Sequence, residues 1–393
     1  MNPLGISHYT VTSSLGRGLA SHLEALRAER TGLRQQPFET STVPGWIGEV
    51  DGLDTPLAGT LAEWDCRNNR LAELGLQQDG FIAAVARATQ RYGAERVGVF
   101  IGTSTSGVQQ TELAYRARDR ALDRLPDWFN LRTTQSTFSA ADFVRLRLGL
   151  RGVAVAISTA CSSSAKVFAS AHRAMRAGLC EVAVVGRVDT LCLTTLYGVN
   201  ALQQVSPEIC RPADVRRQGL SLGEAAGFAL LTPDDGTAEL LLQGYGESSD
   251  AYHMSTPDPD GRGAATAMRE ALRRGAVAPA AVDYINLHGT GTPANDLAED
   301  KAVIGLLGSD VPCSSTKSWS GHTLGAAGIL EAVIALLCLQ DGLLPRSLNT
   351  QAKDPALRAN ILLESRRAQL RRVLSNSFGF GGNNCSLLLG RRA

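Results

Sequence analysis

The chain has 393 residues, of which 44% are hydrophobic and 20% are charged. This length predicts two or three packed units, and this composition excludes wholesale disorder. Lysine and arginine together number 39 against 38 acidic residues, a formal net charge of +1, which gives no overall attraction to nucleic acid. Aromatic residues make up only 5% of the chain, so platforms on which single strands could stack are not expected.

Neither a membrane span nor a secretory signal is expected from the sequence. The most apolar run, residues 326–339, is interrupted by Glu331 and is shorter than the roughly 20 residues that a bilayer requires. The first residues lack both a basic start and an apolar core. The eight cysteines fit neither a CxxC metal pattern nor a dense disulfide framework. We therefore expect free thiols in a reducing, cytoplasmic environment.

Short apolar runs alternate with alanine-rich helical stretches, which is typical of an α/β protein. In the first part of the chain, residues 153–157 predict a strand that is buried on both faces. Residues 163–176 predict a helix that ends before Gly178, and residues 181–188 predict the next strand. This order of strand, helix and strand predicts parallel pairing with a crossover helix.

The second part of the chain repeats this alternation. Three helices are expected there, at residues 268–274, 297–307 and 323–339. The last of them is apolar nearly all round and should therefore be buried. Short strands are expected at residues 284–287, 312–314, 373–375 and 386–389.

A polar cluster at residues 232–237 is the best boundary between two halves of the chain. It predicts one unit at residues 1–232 and a second at residues 233–393. A short repeated motif agrees with this division, because Cys161-Ser-Ser and Cys313-Ser-Ser each lie between a strand-like run and a buried helix. The repeat indicates two halves that are built alike.

Two candidate sites lie where predicted strands end. Cys161 stands where a strand turns into a helix, whose free N–H groups and partial positive charge favour a thiolate. The alternative is an inert cysteine among small core residues. His288 leads into Gly-Thr-Gly-Thr, where Thr290 and Thr292 can bond an amide-bearing ligand. The alternative is a histidine satisfied by the local backbone.

Two further candidates belong to the end of the chain. His322 starts the long buried helix and, taken alone, is better explained as a helix cap. Glu331 lies inside that helix, where a carboxylate is costly unless it is paired, and Lys317 is the nearest cation in the sequence. The glycine-rich loop at residues 376–384 can present backbone N–H groups to an oxyanion, or it is only a tight turn.

In this order and combination, the motifs resemble the elongating β-ketoacyl-acyl-carrier-protein synthases, which have a Cys-His-His set and belong to the thiolase superfamily. The matching segments run in family order along the chain. They are Thr159-Ala-Cys-Ser, Gly223-Glu-Ala-Ala-Gly227, Asp250-Ala-Tyr-His-Met254, His288-Gly-Thr-Gly-Thr-Pro293, the run from Ser315 to Gly328, and Asn376-Ser-Phe-Gly-Phe-Gly-Gly.

The resemblance implies a thiolase fold with five layers, αβαβα, made of two similar halves with mixed sheets. It places Cys161 in the first half and both histidines in the second. It also implies an acyl carrier protein as partner, and a homodimer or a heterodimer with a ketosynthase-like chain-length factor. No metal or organic cofactor is implied, because the phosphopantetheine arm of the carrier protein supplies the handle of the substrate.

The resemblance also implies the catalytic roles. Cys161 would take an acyl chain from a carrier-protein thioester. His288 and His322 would assist the loss of CO2 from malonyl-carrier protein and hold the enolate oxygen, so that the carbanion attacks the Cys161 thioester. Lys317 and Glu331 would orient the second histidine and balance charge.

The remaining implied residues surround the substrate. Phe380 would gate the acyl pocket, and its backbone N–H would form an oxyanion hole with that of Cys161. The other assignments are Thr290 and Thr292 to the phosphopantetheine arm, Asp250 and His253 to a mobile entrance loop, Phe378 to substrate binding, and Arg67 and Arg70 to carrier-protein docking.

Departures from the family pattern favour a specialised synthase, for an aryl polyene, another secondary lipid or a polyketide. The chain lacks the glycine-rich opening of the housekeeping enzymes, Ala213 replaces an aromatic residue, and Gln218 replaces an aspartate. A thiolase would carry a second cysteine in the loop at Phe378. A priming synthase or a plant-type polyketide synthase would carry asparagine at position 322. A non-catalytic chain-length partner would lack Cys161, and a pure acyl-binding module would not need both histidines.

Overall fold

The computed structural model describes residues 1–392. Its strands are β1 (Leu4–Ser13), β2 (Gly16–Arg17), β3 (Ile47–Gly48), β4 (Val97–Gly102), β5 (Ala154–Ile157), β6 (Val182–Asp189), β7 (Leu222–Gly223), β8 (Ala225–Pro233), β9 (Leu240–Ser249), β10 (Tyr284–Asn286), β11 (Pro312–Ser314), β12 (Leu343–Leu344), β13 (Asn360–Ile361), β14 (Arg366–Arg367), β15 (Arg372–Gly379) and β16 (Asn383–Arg391).

The helices lie between these strands, together with short 3-10 turns. They are α1 (Gly18–Arg27), α2 (Arg67–Leu76), α3 (Phe81–Tyr92), α4 (Val108–Arg116), α5 (Ser139–Arg147), α6 (Ser163–Arg176), α7 (Leu193–Ala201), α8 (Arg262–Gly275), α9 (Pro293–Leu307), α10 (Lys317–Ser320) and α11 (Ala327–Asp341).

Two groups of strands share one topology. In the first group β1 pairs antiparallel with β8, β8 antiparallel with β6, β6 parallel with β4, and β4 parallel with β5. In the second group β9 pairs antiparallel with β16, β16 antiparallel with β15, β15 parallel with β10, and β10 parallel with β11. The predicted mixed sheets in two similar halves are thus confirmed. In this repeat β5, which precedes Cys161, corresponds to β11, which contains Cys313.

The two groups are joined into one sheet where β1 meets β9, at the pairs Leu4 with Leu242 and Gly5 with Leu241. The first group ends at Pro233 and the second begins at Leu240, so the predicted polar boundary lies in the connection between them. The division into units at residues 1–232 and 233–393 stays a prediction.

Helices α6 and α11 form one apolar core with strands of both groups. Their backbones are close, because a Cβ added at Gly328 would lie 2.8 Å from the backbone nitrogen of Ala165. The Ser164 hydroxyl accepts a hydrogen bond from the Ile329 N–H at 2.9 Å and donates to the Gly325 carbonyl at 2.5 Å. The small residues at the start of α11 therefore let the two halves pack directly on each other.

Several expected elements differ in detail. Helix α6 has the predicted bounds, but β5 and β6 do not pair directly, because β4 lies between them and pairs parallel with both. The buried helix begins at Ala327 rather than residue 323, because a 3-10 turn over Leu324–Ala326 precedes it. The stretch Leu324–Asp341 is long and apolar enough to cross a membrane, but 89% of it is buried inside the protein, so it is a core helix here.

Candidate active site

Three loops bring Cys161, His288 and His322 together. Cys161 lies between β5 and α6, His288 follows β10, and His322 lies just before the 3-10 turn that leads into α11. A sulfur or ring nitrogen of each lies within 4.8 Å of those of the other two. The two imidazole rings are 5.5 Å apart between centroids and nearly perpendicular, at 88°. Residues far apart in the sequence thus form one compact cluster.

The turn before Cys161 is sharp. Ala160 has a φ of +50°, in the left-handed region, where a small side chain reduces the steric cost. The Ser163 hydroxyl accepts from the Thr159 N–H at 2.8 Å and donates to the Ala160 carbonyl at 2.6 Å. These bonds hold the strained turn and place Cys161 two residues before the start of α6.

Burial raises the pKa of the Cys161 thiol, and this effect outweighs the groups that favour the thiolate. Those groups are the Lys317 ammonium, the Phe380 N–H and the Arg187 guanidinium, while the Asp189 carboxylate adds to the rise in the pKa. Burial therefore opposes the thiolate that the start of the helix favours. The thiol needs a base when it reacts.

Both histidines are held neutral at physiological pH. Burial lowers the pKa of His288 and His322 well below the usual value, and the positive charge of Lys317 lowers both further. Within residues 1–392, Nδ1 of each ring is buried without a hydrogen-bond partner. Each neutral ring can therefore accept a proton at one nitrogen and donate from the other.

Lys317 and Glu331 form the pair that the sequence predicted. Their side chains are 1% and 2% exposed, and Lys317 Nζ lies 2.5 Å from Glu331 Oε1. Burial raises the pKa of Glu331 to about 7, although Lys317 opposes this rise. The pair places a positive charge behind both histidines without exposing it to solvent.

The glycine-rich loop packs directly on the nucleophile turn. A Cβ added at Gly379 would lie 3.0 Å from the Thr159 carbonyl oxygen and 3.1 Å from the Cys161 nitrogen. The next residue, Phe380, directs its backbone N–H at the Cys161 thiol. The N–H groups of Cys161 and Phe380 therefore lie beside the same sulfur, where an acyl oxyanion would form.

Glu299 supports His288 and was not identified in the sequence. Its carboxylate accepts from the backbone N–H groups of His288 and Gly289, both at 2.8 Å, and from the Asn376 side chain at 3.1 Å. Burial raises the pKa of Glu299 to about 7, and these hydrogen bonds oppose the rise. Helix periodicity gives no signal for this role, because the partners of Glu299 are two backbone N–H groups and one side chain that belong to other segments of the chain.

One cavity of about 240 Å³ contains the cluster. Many of the predicted site residues line it: Cys161, His288, His322, Phe378, Phe380, Thr290, Thr292 and Asp250. Its wall also includes residues that the sequence did not single out, among them Ser104, Thr105, Thr195, Val199, Leu220, Leu222 and Leu324.

The entrance loop is tied to the glycine-rich loop. Asp250 donates its N–H to the Gly382 carbonyl at 2.9 Å, and Gly381 donates to the Met254 carbonyl at 2.7 Å. His253 is exposed, and in the part of the chain that the structure describes it is not a lining residue of the cavity. Its predicted role at the entrance stays a prediction.

The two arginines assigned to carrier-protein docking are paired within the chain. Arg67 has a side chain that is only 11% exposed and lies 2.6 Å from Glu224 and 3.2 Å from Glu49. Arg70 is 23% exposed and lies 2.6 Å from Asp65. These contacts neutralise both charges within the chain, so neither arginine is an unpaired cation at this helix. The role of Arg67 and Arg70 in carrier-protein docking stays a prediction.

The chain matches two family models, described as "Beta-ketoacyl synthase, N-terminal domain" over residues 22–236 and "Beta-ketoacyl synthase, C-terminal domain" over residues 240–351. It is 34% identical over 371 residues to a "3-oxoacyl-[acyl-carrier-protein] synthase 2" of Vibrio harveyi, an alignment that covers 86% of this chain and 89% of the relative.

Solved structures agree with these matches. The chain superposes with a TM-score of 0.91 and 36% identity on a ketosynthase, ApeO, solved in complex with its chain length factor, ApeC, from Xenorhabdus doucetiae. That match covers 100% of this chain and 98% of the other. A second match, the ishigamide ketosynthase/chain length factor, has a TM-score of 0.89 at 25% identity and covers 100% of both chains.

Proposed function

The chain belongs to the β-ketoacyl synthase family, and we propose that it catalyses the decarboxylative condensation of malonyl-carrier protein with an acyl chain held on Cys161. It is an enzyme of the acyltransferase type, with a thiolase fold. The observation that carries the proposal is the meeting of a thiol, two neutral imidazoles and a pair of backbone N–H groups in one cavity.

The first step transfers the acyl chain to Cys161. The thiol attacks the carbonyl carbon of the carrier-protein thioester, and a neutral imidazole accepts the thiol proton. The oxyanion accepts hydrogen bonds from the N–H groups of Cys161 and Phe380. When the C–S bond to the carrier breaks, the imidazolium returns its proton to the departing thiolate, so that acyl-Cys161 and free carrier thiol result.

The second step removes CO2 from the malonyl thioester. The electron pair of the broken C–C bond moves onto the thioester, and the enolate oxygen accepts hydrogen bonds from His288 and His322. The burial and the Lys317 charge that keep both rings neutral suit this role, because each ring donates without releasing its proton. Each such donor contributes about 2–4 kcal/mol to the transition state when it behaves as a typical oxyanion donor.

The third step forms the new carbon–carbon bond. The enolate carbon attacks the carbonyl carbon of acyl-Cys161, the C–S bond breaks, and Cys161 leaves as a thiolate that takes a proton from solvent. The product is a 3-oxoacyl thioester on the carrier protein, longer by two carbons. No step uses a metal ion, so chelation by EDTA should leave turnover unchanged.

Intact-mass spectrometry after incubation with an acyl-carrier protein tests the proposal. The wild-type protein should gain the mass of the acyl group, and Cys161→Ala should not. Circular dichroism must show that the variant is folded. A folded wild-type protein that gains no acyl group under turnover conditions would contradict the proposal.

We further propose that the acyl chain belongs to a polyene or polyketide-type pathway rather than to housekeeping fatty acid synthesis. Support comes from the departures at Ala213 and Gln218 and from the full-length likeness to the ApeO ketosynthase. Acylation rates with a saturated and a conjugated acyl-carrier protein of equal chain length test this. Equal or faster acylation by the saturated chain contradicts it.

The partners are proposed from the same likeness. We propose that the chain acts in the cytoplasm on acyl carrier protein and forms a dimer, in which the second chain is a chain-length factor. Exposed apolar side chains support a protein interface on the first half: Leu113, Tyr115, Leu122, Trp128, Leu131 and Phe138. A homodimer of this chain is the alternative.

A further inference from the structure

A buried arginine lies behind the cavity wall, near the end of β6. Arg187 is 0% exposed. Its Nε donates to Asp189 Oδ2 at 2.9 Å, and its Nη2 donates to the same oxygen and, at 2.5 Å, to Ser104 Oγ. Within residues 1–392, Nη1 has no hydrogen-bond partner. The proposed steps of the reaction do not use this side chain.

Glycines provide the space for the guanidinium. Gly102 is the neighbour of Arg187 in the register of β4 and β6, and a Cβ added there would lie 3.0 Å from Arg187 Cδ. A Cβ added at Gly325 would overlap the guanidinium of Arg187. The charged group therefore fills a gap between the end of β4 and the segment that follows His322.

Asp189 connects the arginine to two walls of the cavity. Its Oδ1 accepts from the N–H groups of Ser104 at 3.0 Å and Thr105 at 3.2 Å, and its Oδ2 accepts from the Gly325 N–H at 2.9 Å. Ser104, Thr105 and Gly325 all line the cavity. The ion pair thus links the loop after β4 to the segment that carries His322.

Ser104 extends this network to the nucleophile. Its hydroxyl accepts from Arg187 and donates to the Ala160 carbonyl at 3.4 Å. Ala160 is the residue with the strained, left-handed backbone directly before Cys161. A chain of hydrogen bonds therefore runs from Asp189 through Arg187 and Ser104 to the nucleophile turn.

We propose that Arg187 is a positioning residue for Cys161, which places a permanent positive charge behind the nucleophile and holds Ser104 against the turn that presents it. The charged and titratable groups that face Cys161 are Lys317, Arg187, Asp189 and the two neutral histidines. Burial lowers the pKa of Arg187, but a guanidinium stays charged at neutral pH even when buried, and so it assists ionisation of the thiol. This inference rests on the proposed function only in taking Cys161 as the nucleophile.

The test measures the rate at which iodoacetamide alkylates Cys161 as a function of pH, by intact mass and with EDTA present. Arg187→Gln removes the charge and keeps donors for Asp189. It should raise the midpoint pH of alkylation and lower the rate at neutral pH by roughly three- to tenfold, as loss of a nearby opposite charge does. Arg187→Lys keeps the charge and should keep a midpoint near that of the wild type. Cys161→Ala provides the blank for the other, buried cysteines.

Ser104→Ala tests the second part of the proposal, because it removes the link to Ala160 and leaves the ion pair intact. We expect an unchanged midpoint and a lower limiting rate at high pH. A folded Arg187→Gln variant with the midpoint of the wild type overturns the charge role, and an unchanged limiting rate in Ser104→Ala overturns the tether role. Ser104→Ala also remains measurable where Arg187→Gln does not fold. Alkylation detects the thiol directly, so failure of this inference is distinguishable from absence of condensation activity.

Discussion

His288 and His322 are buried and Cys161 is half-buried, and removal from water favours the neutral form of each. A nearby positive charge favours the charged form of the thiol but the neutral form of each imidazole. The Lys317 cation lowers the pKa of the thiol and the pKa of both imidazoles, so it assists the nucleophile and keeps the donors neutral. One buried cation that is balanced by Glu331 thus supports both the acyl transfer and the loss of CO2 in the proposed reaction.

A base is needed for the acylation of Cys161, whereas two donors are needed for the loss of CO2. We therefore expect His322→Asn to slow the loss of CO2 far more than the acylation. Asparagine keeps a donor but cannot accept a proton, and its amide does not reach as far as an imidazole nitrogen. CO2 release from malonyl-carrier protein should fall by about 10²- to 10³-fold, the usual effect of losing one oxyanion donor. Acylation of Cys161 should persist, because neutral His288 remains as a base. Radiolabelled CO2 release and intact mass measure the two steps, and equal losses in both would contradict this division.

Glu299 predicts a dependence of stability on pH. Its pKa in the folded protein is raised to about 7 from a reference value of 4.5, so the folded state binds this proton more tightly than the unfolded state. The stabilisation that this provides is present in full below the unfolded pKa and is lost as the pH rises through the folded pKa. Relative to Glu299→Gln, the wild type should lose about 3 kcal/mol between the two pKa values.

Urea unfolding at a series of pH values measures this effect. The difference between the wild type and Glu299→Gln cancels the contributions of groups that both proteins share. A difference that stays constant from mildly acidic to neutral pH would show that Glu299 ionises normally.

Sequence analysis found the chemistry-bearing residues but not the residues that hold them. Cys161 and His288 lie in short motifs beside strand ends, and His322 lies in a short motif at the start of the long buried helix, so all three motifs can be recognised locally. Glu299 and Arg187 act through partners that are remote along the chain, such as Asn376 and Ser104. No local pattern indicates such contacts, so only the folded structure reveals them.

Helix α6 could be predicted to the residue, whereas β1 could not be predicted at all. The apolar spacing of α6 is regular and Gly178, with a φ of +73°, marks its end. Strand β1 is buried on both faces yet contains Thr10 and Thr12, each 0% exposed. Buried polar residues remove the hydrophobic signal of a strand, although β1 is the strand that joins the two halves.

Close packing of α6 and α11 predicts a stability effect at Gly328. A methyl group there would meet the Ala165 backbone nitrogen at 2.8 Å and the Ser164 hydroxyl at 2.9 Å. Gly328→Ala should lower the free energy of unfolding by about 1–3 kcal/mol, because the crowded backbones must separate. Gly305→Ala in α9 is the matched control, since a Cβ at Gly305 would meet nothing within 4 Å.

The control should stabilise the protein by up to about 1 kcal/mol, because alanine is the better helix former. Urea unfolding of the three proteins measures both effects. Equal stability of Gly328→Ala and Gly305→Ala would show that α6 and α11 can move apart at no cost.

The molecule as a whole is unevenly apolar at its surface. Within the segment at residues 113–138, Leu122 is 70% exposed, Leu131 is 61% exposed and Trp128 is 50% exposed. Large apolar side chains clustered in this way indicate a surface that another protein covers. Strand β5 lies on the same half as an unpaired edge in the described chain, and an open edge is also a common place for pairing with a second chain.

Replacing Trp128 by glutamate should therefore weaken the proposed dimer. A charge at the centre of an apolar contact is desolvated without a partner, and loss of a tryptophan anchor commonly costs about 2 kcal/mol or more of binding free energy. That corresponds to a rise of about 30-fold or more in the dissociation constant.

Leu179→Glu is the matched control, because Leu179 is 58% exposed but lies outside the segment. Sedimentation velocity of the chain, alone and co-expressed with a chain-length factor, measures the effect. If Trp128→Glu and Leu179→Glu dissociate alike, the interface is elsewhere. If the chain alone already forms a stable dimer that a chain-length factor does not displace, the partner is a second copy of the same chain.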